Sequence, residues 1–336
     1  ILCAVTGPSF DPDDMPDIAA DETGVYDGVF LNRFVQSAYV PGSIFKIVTL
    51  TAALENIPDI QDQTFQCRGK MEYGTEAVTC ETAHGKQSLD RAFANSCNCA
   101  FAQIAEQLGK TNMVNAVKKY ELTQSLSFDG ITTAKGNYNI ENTAMVSFAW
   151  SCIGQHSDLI NPARFMTLMG AIAGGGQAAS PYIVSQVTCG KDITYRAQTE
   201  MTDRIMSEEL ASTLKSYLRG NVKDIYGDWK FPSIQVCGKS GTSELGGDLE
   251  SNAMFAGFVL DDNGPLRCQL SSIEVMGRDV SIVSKHTASL NPVIRSIVNA
   301  DYKVSADSTT VNYTLKTHKV FLFDKKDETR IRFEVK

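Results

Sequence analysis

Up to about residue 219 the apolar positions of this chain recur with a helical period, and after Phe231 they alternate as in strands. Over residues 43–56, Ile44, Ile47, Val48, Thr51, Ala52 and Leu54 cover nearly the whole circumference of a helix, which predicts burial on several sides. Pro41-Gly42 and Pro58 mark its ends. Residues 88–108 place Leu89, Ala92, Phe93, Phe101, Ile104, Ala105 and Leu108 on one face, with Gly109 as the stop. The same period predicts helices over about 111–120, 141–151, 162–173 and 207–219. Residues 234–242 and 253–260 read as strands, and 291–299 as a closing helix. Ile1 to Val5 looks like a strand already under way, 8–27 is an Asp- and Pro-rich loop, and 61–85 is a loop with a short hairpin.

This order predicts an α+β chain in which strands from both ends form a sheet packed on helices. The expected division is a sheet subdomain from about 1–30 and 231–300, with a helical subdomain from about 31–230 inserted between. Residues 301–336 are an unassigned extension, with alternating Val320 and Leu322 and later Ile331 and Phe333, that reads as either an extra hairpin or a poorly ordered tail. The cleft between sheet and helical lobe is the natural site.

Composition narrows the picture only slightly. Hydrophobic residues make up 43% of the 336 and charged residues 21%, an ordinary globular balance. A net charge of −8 argues against nucleic acid, which needs a basic face. The charge-free run after Arg164 is broken by Gly174-Gly175-Gly176, Gln177, Ser180 and Pro181, unlike a span of about 20 apolar residues. An anchoring segment is expected upstream of Ile1. The nine cysteines (Cys3, Cys67, Cys80, Cys97, Cys99, Cys152, Cys189, Cys237 and Cys268) lack zinc-ribbon spacing and read mostly as small buried hydrophobes. Cys67 and Cys80 flank the hairpin and could pair in an oxidising compartment. No metal or organic cofactor is expected.

Three short elements carry chemistry. In Ser43-Ile44-Phe45-Lys46, residues three apart share a helix face, so Lys46 can take the Ser43 proton if its amine is neutral. A free lysine has a pKa of about 10.4, so burial and a second cation must lower it. Ser96-Cys97-Asn98 sits at a helix junction, where a hydroxyl can relay a proton and an amide can bind a carbonyl. In Lys239-Ser240-Gly241-Thr242, alternation puts Ser240 and Thr242 on one side of a strand, suited to a carboxylate. Gly241 lets a ligand lie flat, and Lys239 is a candidate for the second cation. Each element alone reads as an ordinary cap or edge strand; their order, S-x-x-K, S-x-N, K-S-G, is the distinctive feature.

That order resembles the transpeptidase domain of class B-like penicillin-binding proteins of Gram-positive type, over most of the chain. Leu31-Asn32-Arg33 and Tyr39-Val40-Pro41-Gly42-Ser43-Ile44-Phe45-Lys46 are similar to the family's nucleophile segment. His84-Gly85-Lys86-Gln87 with Ala94-Asn95-Ser96-Cys97-Asn98 resembles its second motif. Ile153-Gly154-Gln155, Asn161-Pro162, Ala171 to Gly176, Gly238 to Glu244 and Asn252 to Phe258 extend the likeness. The resemblance implies the fold shared with serine β-lactamases, an antiparallel sheet flanked by helices with an inserted helical subdomain. It implies peptidoglycan D,D-transpeptidation on D-Ala-D-Ala stem peptides, with an amine acceptor and β-lactams as covalent inhibitors. Ser43 would be the nucleophile, Lys46 its base, Ser96 the relay and Asn98 the amide holder. Lys239, Ser240 and Thr242 would bind the terminal carboxylate, with Gly241 alongside, and the backbone N–H groups of Ser43 and Thr242 would form the oxyanion hole. It also implies the extracytoplasmic face of the membrane and a membrane glycosyltransferase as partner.

Some positions depart from the family's pattern. Met254 stands where many members carry tryptophan, and the alternation slips at Ser271-Ser272, which predicts a short or bulged strand. His84 is assigned a loop-ordering role and Glu141 a helix start, where the dipole explains it. Rival functions are a D,D-carboxypeptidase or β-lactamase on the same scaffold, a β-lactam-sensing receptor domain, and an inactive structural member.

Overall fold

The fold is that of a computed structural model, which describes residues 1, 3–231, 234–243, 251–260, 266–276, 279–285, 293–299, 309–313, 322–323 and 330–331. It is a mixed α+β chain in two compact units, Ile1–Pro232 with Val236–Val259, and Ser233–Gln235 with Leu260–Lys336.

In the first unit a short helix α1 (Arg33–Gln36) precedes a 3₁₀ turn, Gly42–Phe45, that runs into α2 (Lys46–Asn56). Every residue of α2 from Lys46 to Ala53 is buried, as its all-round apolar pattern requires. Strands β1 (Thr64–Cys67) and β4 (Gly85–Ser88) pair antiparallel, and between them β2 (Lys70–Tyr73) and β3 (Glu76–Thr79) form the hairpin. Helices α3 (Leu89–Ala94) and α4 (Asn98–Lys119) follow. Gly109, at φ 73°, breaks the helical backbone inside α4 where a stop is expected. A two-stranded turn, β5 (Ser127–Phe128) and β6 (Ile131–Thr132), leads to α5 (Met145–Ile153) and α6 (Pro162–Ala173). An exposed hairpin, β7 (Gln186–Cys189) and β8 (Asp192–Arg196), precedes α7 (Glu208–Gly220). Helix α2 packs against α4, α5 and α7, which makes it the central element of the unit. After α7 a π-helical turn, Asn221–Gly227, leads toward paired strands β9 (Gln235–Ser243) and β10 (Asn252–Leu260).

The second unit is an antiparallel sheet of order β13-β12-β11-β14, from β11 (Leu266–Met276), β12 (Asp279–Lys285), β13 (Ile294–Asn299) and β14 (Thr310–Tyr313). The β11–β12 register shifts between Leu270 and Ser272, so the strand is bulged where its alternation slips, and it is long rather than short. A last hairpin pairs β15 (Leu322–Phe323) with β16 (Arg330–Ile331); Val320 and Phe333 lie outside the described residues.

Four expectations are corrected. Ile1 and Cys3 to Val5 form no strand: Val5 is 85% exposed and has no apolar face to pack on. Residues 294–299 form a strand rather than a closing helix, because half-buried Ile294, Ser296 and Val298 alternate with exposed Arg295 and Ile297, a period of two. The helix expected from 141 begins at Met145, so Glu141 lies in the preceding turn and the helix dipole does not account for it. Cys67 and Cys80 are not bonded, and all nine cysteines are free thiols. The Cys67 sulfur faces His84 Nδ1 at 3.5 Å, whereas the Cys80 sulfur is turned to Cys97 at 3.8 Å and Cys99 at 3.6 Å.

Candidate active site

The three elements meet in the first unit. Ser43 lies in the 3₁₀ turn and Lys46 is the first residue of α2, which points the lysine back along the turn. Lys46 Nζ donates to Ser43 Oγ at 2.9 Å, to the Ser96 carbonyl at 2.6 Å, to Ser96 Oγ at 3.1 Å and to Asn98 Oδ1 at 2.7 Å. The amine is fully buried. Desolvation pushes its pKa down to about 7, against an opposing pull from nearby cysteines. Its hydrogen-bond acceptors hold it in place, while burial makes its free-base form accessible near neutral pH.

Ser96 joins α3 to α4 with φ at +52°, the left-handed region that costs a residue with a Cβ. That bend turns the carbonyl and hydroxyl of Ser96 onto Lys46. The next residue, Cys97, caps α4: its sulfur accepts from Ala100 N–H at 3.4 Å. Asn98 opens α4, and its amide nitrogen donates to the Thr79 carbonyl at 2.8 Å. The second element is thereby tied both to α2 and to the end of the hairpin.

Strand β9 brings the third element. Burial alternates along it, with Lys239 and Gly241 buried and Ser240 and Thr242 exposed, so the two hydroxyls share a face as predicted. Lys239 points the other way. Its Nζ donates to Ser96 Oγ at 2.9 Å and to the Ser240 carbonyl at 2.9 Å. Desolvation first, and the Lys46 charge second, hold the Lys239 amine well below the ordinary lysine range. The strand lies hard against the nucleophile turn. A Cβ on Gly42, whose φ is +57°, would sit 2.5 Å from the Thr242 carbonyl oxygen, and one on Gly241 would sit 2.8 Å from Ile44 N. Only glycine allows two backbones to approach so closely.

A polar cavity of about 750 Å³ opens over this cluster, lined among others by Ser43, Ser96, Asn98, Gln155, Ser240 and Thr242. A second cavity, of about 630 Å³ and mostly apolar, is lined by α6 and β10 residues such as Phe165, Met169 and Met254 and holds none of the six polar side chains. The first is the candidate site because the nucleophile opens into it. Gln155, part of the resemblance but given no role by sequence, donates to the Thr242 carbonyl at 2.7 Å. Tyr226 is a residue that sequence reading misses: its hydroxyl accepts from Ser240 N–H at 3.0 Å and meets Ser240 Oγ at 3.0 Å. Nothing in its own neighbourhood marks it, since the π turn of 221–227 carries no period that points it at β9. Asn221 in the same turn donates to the Gly238 carbonyl at 3.0 Å and steadies the strand.

A serine hydroxyl on a buried, easily deprotonated amine, beside a second amine and two exposed hydroxyls, is an arrangement that can form an acyl-serine with lysine in place of histidine. The sequence pattern of the family "Penicillin binding protein transpeptidase domain" matches residues 1–266, and the chain belongs to that family. The chain is 29% identical over 278 residues to "Stage V sporulation protein D" of Bacillus subtilis, covering 79% of this chain and 42% of that protein. It is 28% identical over 283 residues to "Peptidoglycan D,D-transpeptidase PbpA" of Mycolicibacterium smegmatis, covering 77% and 56%. It thus spans about half the length of these curated relatives. Among solved structures, penicillin-binding protein A of M. tuberculosis in its imipenem acyl-enzyme complex superposes with a TM-score of 0.66 at 22% identity, over 76% of this chain and 62% of that one. The D,D-transpeptidase domain of a peptidoglycan glycosyltransferase from Eggerthella lenta gives 0.60 at 23%, over 82% and 64%. These two likenesses bear on the fold. Among the described residues no helix is long and apolar enough to cross a membrane.

Proposed function

We propose that this chain is a serine-type peptidoglycan D,D-transpeptidase, and that Ser43 forms an acyl-enzyme with the penultimate D-Ala of a stem peptide. The observation that carries the reading is the 2.9 Å contact between Ser43 Oγ and a Lys46 amine whose pKa is lowered to about 7. Ser43 Oγ attacks the carbonyl carbon while neutral Lys46 takes its proton. The tetrahedral oxyanion is stabilised by the backbone N–H groups of Ser43 and Thr242. Its collapse breaks the peptide bond, and the proton passes through the Ser96 hydroxyl to the leaving D-Ala nitrogen. Asn98 holds the substrate amide. Ser240 and Thr242 bind the terminal carboxylate, whose charge keeps Lys239 protonated on the inner side of β9. An amine from a second stem peptide then attacks the ester and frees Ser43. β-Lactams open on the same serine.

The names of two relatives, peptidoglycan D,D-transpeptidase PbpA and FtsI, support the substrate class. Peptidoglycan as substrate puts the active domain on the extracytoplasmic side, and a membrane anchor and a glycosyltransferase partner belong to the same proposal. The domain division about residues 30, 231 and 300 is likewise proposed from the resemblance. Incubation with a fluorescent penicillin, followed by peptide mass spectrometry, tests the reading. A long-lived adduct on Ser43 is expected, absent in Ser43→Ala; no adduct on the unmodified chain overturns it. An adduct lost within seconds points instead to a hydrolase, for which Glu81, an exposed carboxylate lining the cavity, is the residue to remove. D-Ala release with an amine acceptor separates the enzyme from a sensor.

A further inference from the structure

The cysteines that sequence reading sets aside as buried hydrophobes are brought together by the fold at the edge of the cavity. Cys67 ends β1, Cys80 and His84 lie in the loop between β3 and β4, and Cys97 caps α4. Their three sulfurs and one imidazole nitrogen all lie within 4.8 Å of one another. We propose that Cys67, Cys80, His84 and Cys97 bind one Zn²⁺ ion in a tetrahedral structural site that fixes the Ser96–Asn98 element.

The geometry fits the ion. With Zn–S near 2.3 Å and Zn–N near 2.0 Å, the edges of a tetrahedral site are about 3.8 Å between sulfurs and about 3.5 Å from sulfur to nitrogen. Cys80 and Cys97 are 3.8 Å apart and Cys67 is 3.5 Å from His84 Nδ1, so two edges already have these lengths. With all four atoms within 4.8 Å of one another, no sulfur pair needs to close by more than about 1 Å. Soft thiolates with one imidazole select zinc over hard cations, and a complete set of four protein ligands is the structural kind of site. Binding sets three thiol protons free to solvent.

The backbone already supplies donors to the site. Backbone N–H groups donate to two of the sulfurs, Cys99 N to Cys80 at 3.3 Å and Ala100 N to Cys97 at 3.4 Å, and Cys97 stands at the N-terminus of the long helix α4. Cys99 stays outside the set, with its thiol on the Val78 carbonyl at 3.8 Å. In an oxidising compartment any two of these sulfurs are close enough to pair, and a bound metal would hold all three as separate thiolates.

The mechanical consequence follows from where Cys97 stands. Its neighbours in sequence are the two residues that hold Lys46, and Ser96 carries a left-handed backbone that must be maintained by its surroundings. A metal bonded to Cys97 and to the loop of Cys80 and His84 clamps that bend and the cavity wall in one unit.

The test is elemental analysis of the full chain purified with zinc in the medium. One zinc per chain is expected, falling to about a tenth or less in Cys80→Ser and in His84→Ala, and unchanged in Cys189→Ser, whose thiol is exposed in the β7–β8 hairpin. Cobalt exchange is expected to give the absorption of a tetrahedral thiolate complex. A wild-type chain without zinc overturns the proposal. So does full zinc in both variants, or a disulfide among Cys67, Cys80 and Cys97 in zinc-grown protein. Chelation should slow penicillin acylation about tenfold or more, with recovery on adding Zn²⁺; unchanged acylation in metal-free chain overturns the clamp. This last arm rests on the proposed acylation of Ser43, whereas metal content does not, so the two readings fail separately.

Discussion

Lys46 and Lys239 converge on one hydroxyl. Lys46 Nζ lies 3.1 Å and Lys239 Nζ 2.9 Å from Ser96 Oγ, and neither lysine is exposed. Two ammonium groups repel strongly where water cannot screen them, so the pair favours losing a proton near neutral pH. Burial lowers the Lys46 pKa to about 7, so Lys46 is available as a base without any histidine or carboxylate to activate it.

Acylation of Ser43 should therefore follow the neutral fraction of Lys46. The pKa is lowered to about 7, so the amine is charged below that pH and neutral above it. The second-order rate constant for a penicillin should rise about tenfold per pH unit on the acid side and level off above about pH 7. Stopped-flow measurement checks this, and a flat profile across the range removes Lys46 as the proton acceptor.

Lys239→Gln takes away the second amine at Ser96 Oγ. Desolvation, and not Lys239, lowers the Lys46 pKa, so the plateau should fall about tenfold or more while the acid limb stays near pH 7. A limb moved to higher pH by about one unit would show instead that the Lys239 charge sets the Lys46 pKa.

Ser96 can be split into backbone and hydroxyl. Glycine relieves the left-handed φ of 52° and alanine does not, so Ser96→Gly should be more stable than Ser96→Ala by about 1 kcal/mol in denaturant titration. Both lose the hydroxyl, and both should acylate about 100-fold more slowly.

At Gly42 a methyl group has no room, with the Thr242 carbonyl 2.5 Å from the Cβ position. Gly42→Ala should force β9 from the nucleophile turn, at a cost of about 2 kcal/mol or more and with loss of the adduct. A crystal structure with the two backbones unmoved would refute this account of the glycine.

Asp158 is buried, and desolvation raises its carboxyl to about 7. An unfolded aspartate ionises near 3.9, so between about pH 4 and pH 7 the native state binds the extra proton and stability falls as pH rises. Asp158→Asn removes that penalty. Its advantage over the parent should be largest above pH 7 and should shrink by about 1.4 kcal/mol per unit on going down toward pH 4. Thermal unfolding of both across pH is the measurement.

The sequence by itself determined the local structure and the reactive groups. The period of 3.6 over α2 and over Pro162–Ala173, the Gly109 stop, and the alternation that puts Ser240 beside Thr242 are properties of consecutive residues. The order of the three motifs likewise needs only the chain. Periodicity failed where burial is set from outside: residues 294–299 carry enough apolar groups for either element, and pairing with β12 made them a strand. Tertiary structure alone decided the rest. Lys239 reaches Ser96 across 143 positions, Tyr226 comes to Ser240 from a turn without a period, and four metal-binding side chains gather from three elements. Contacts of that kind depend on how helices and strands pack, and no local pattern encodes them.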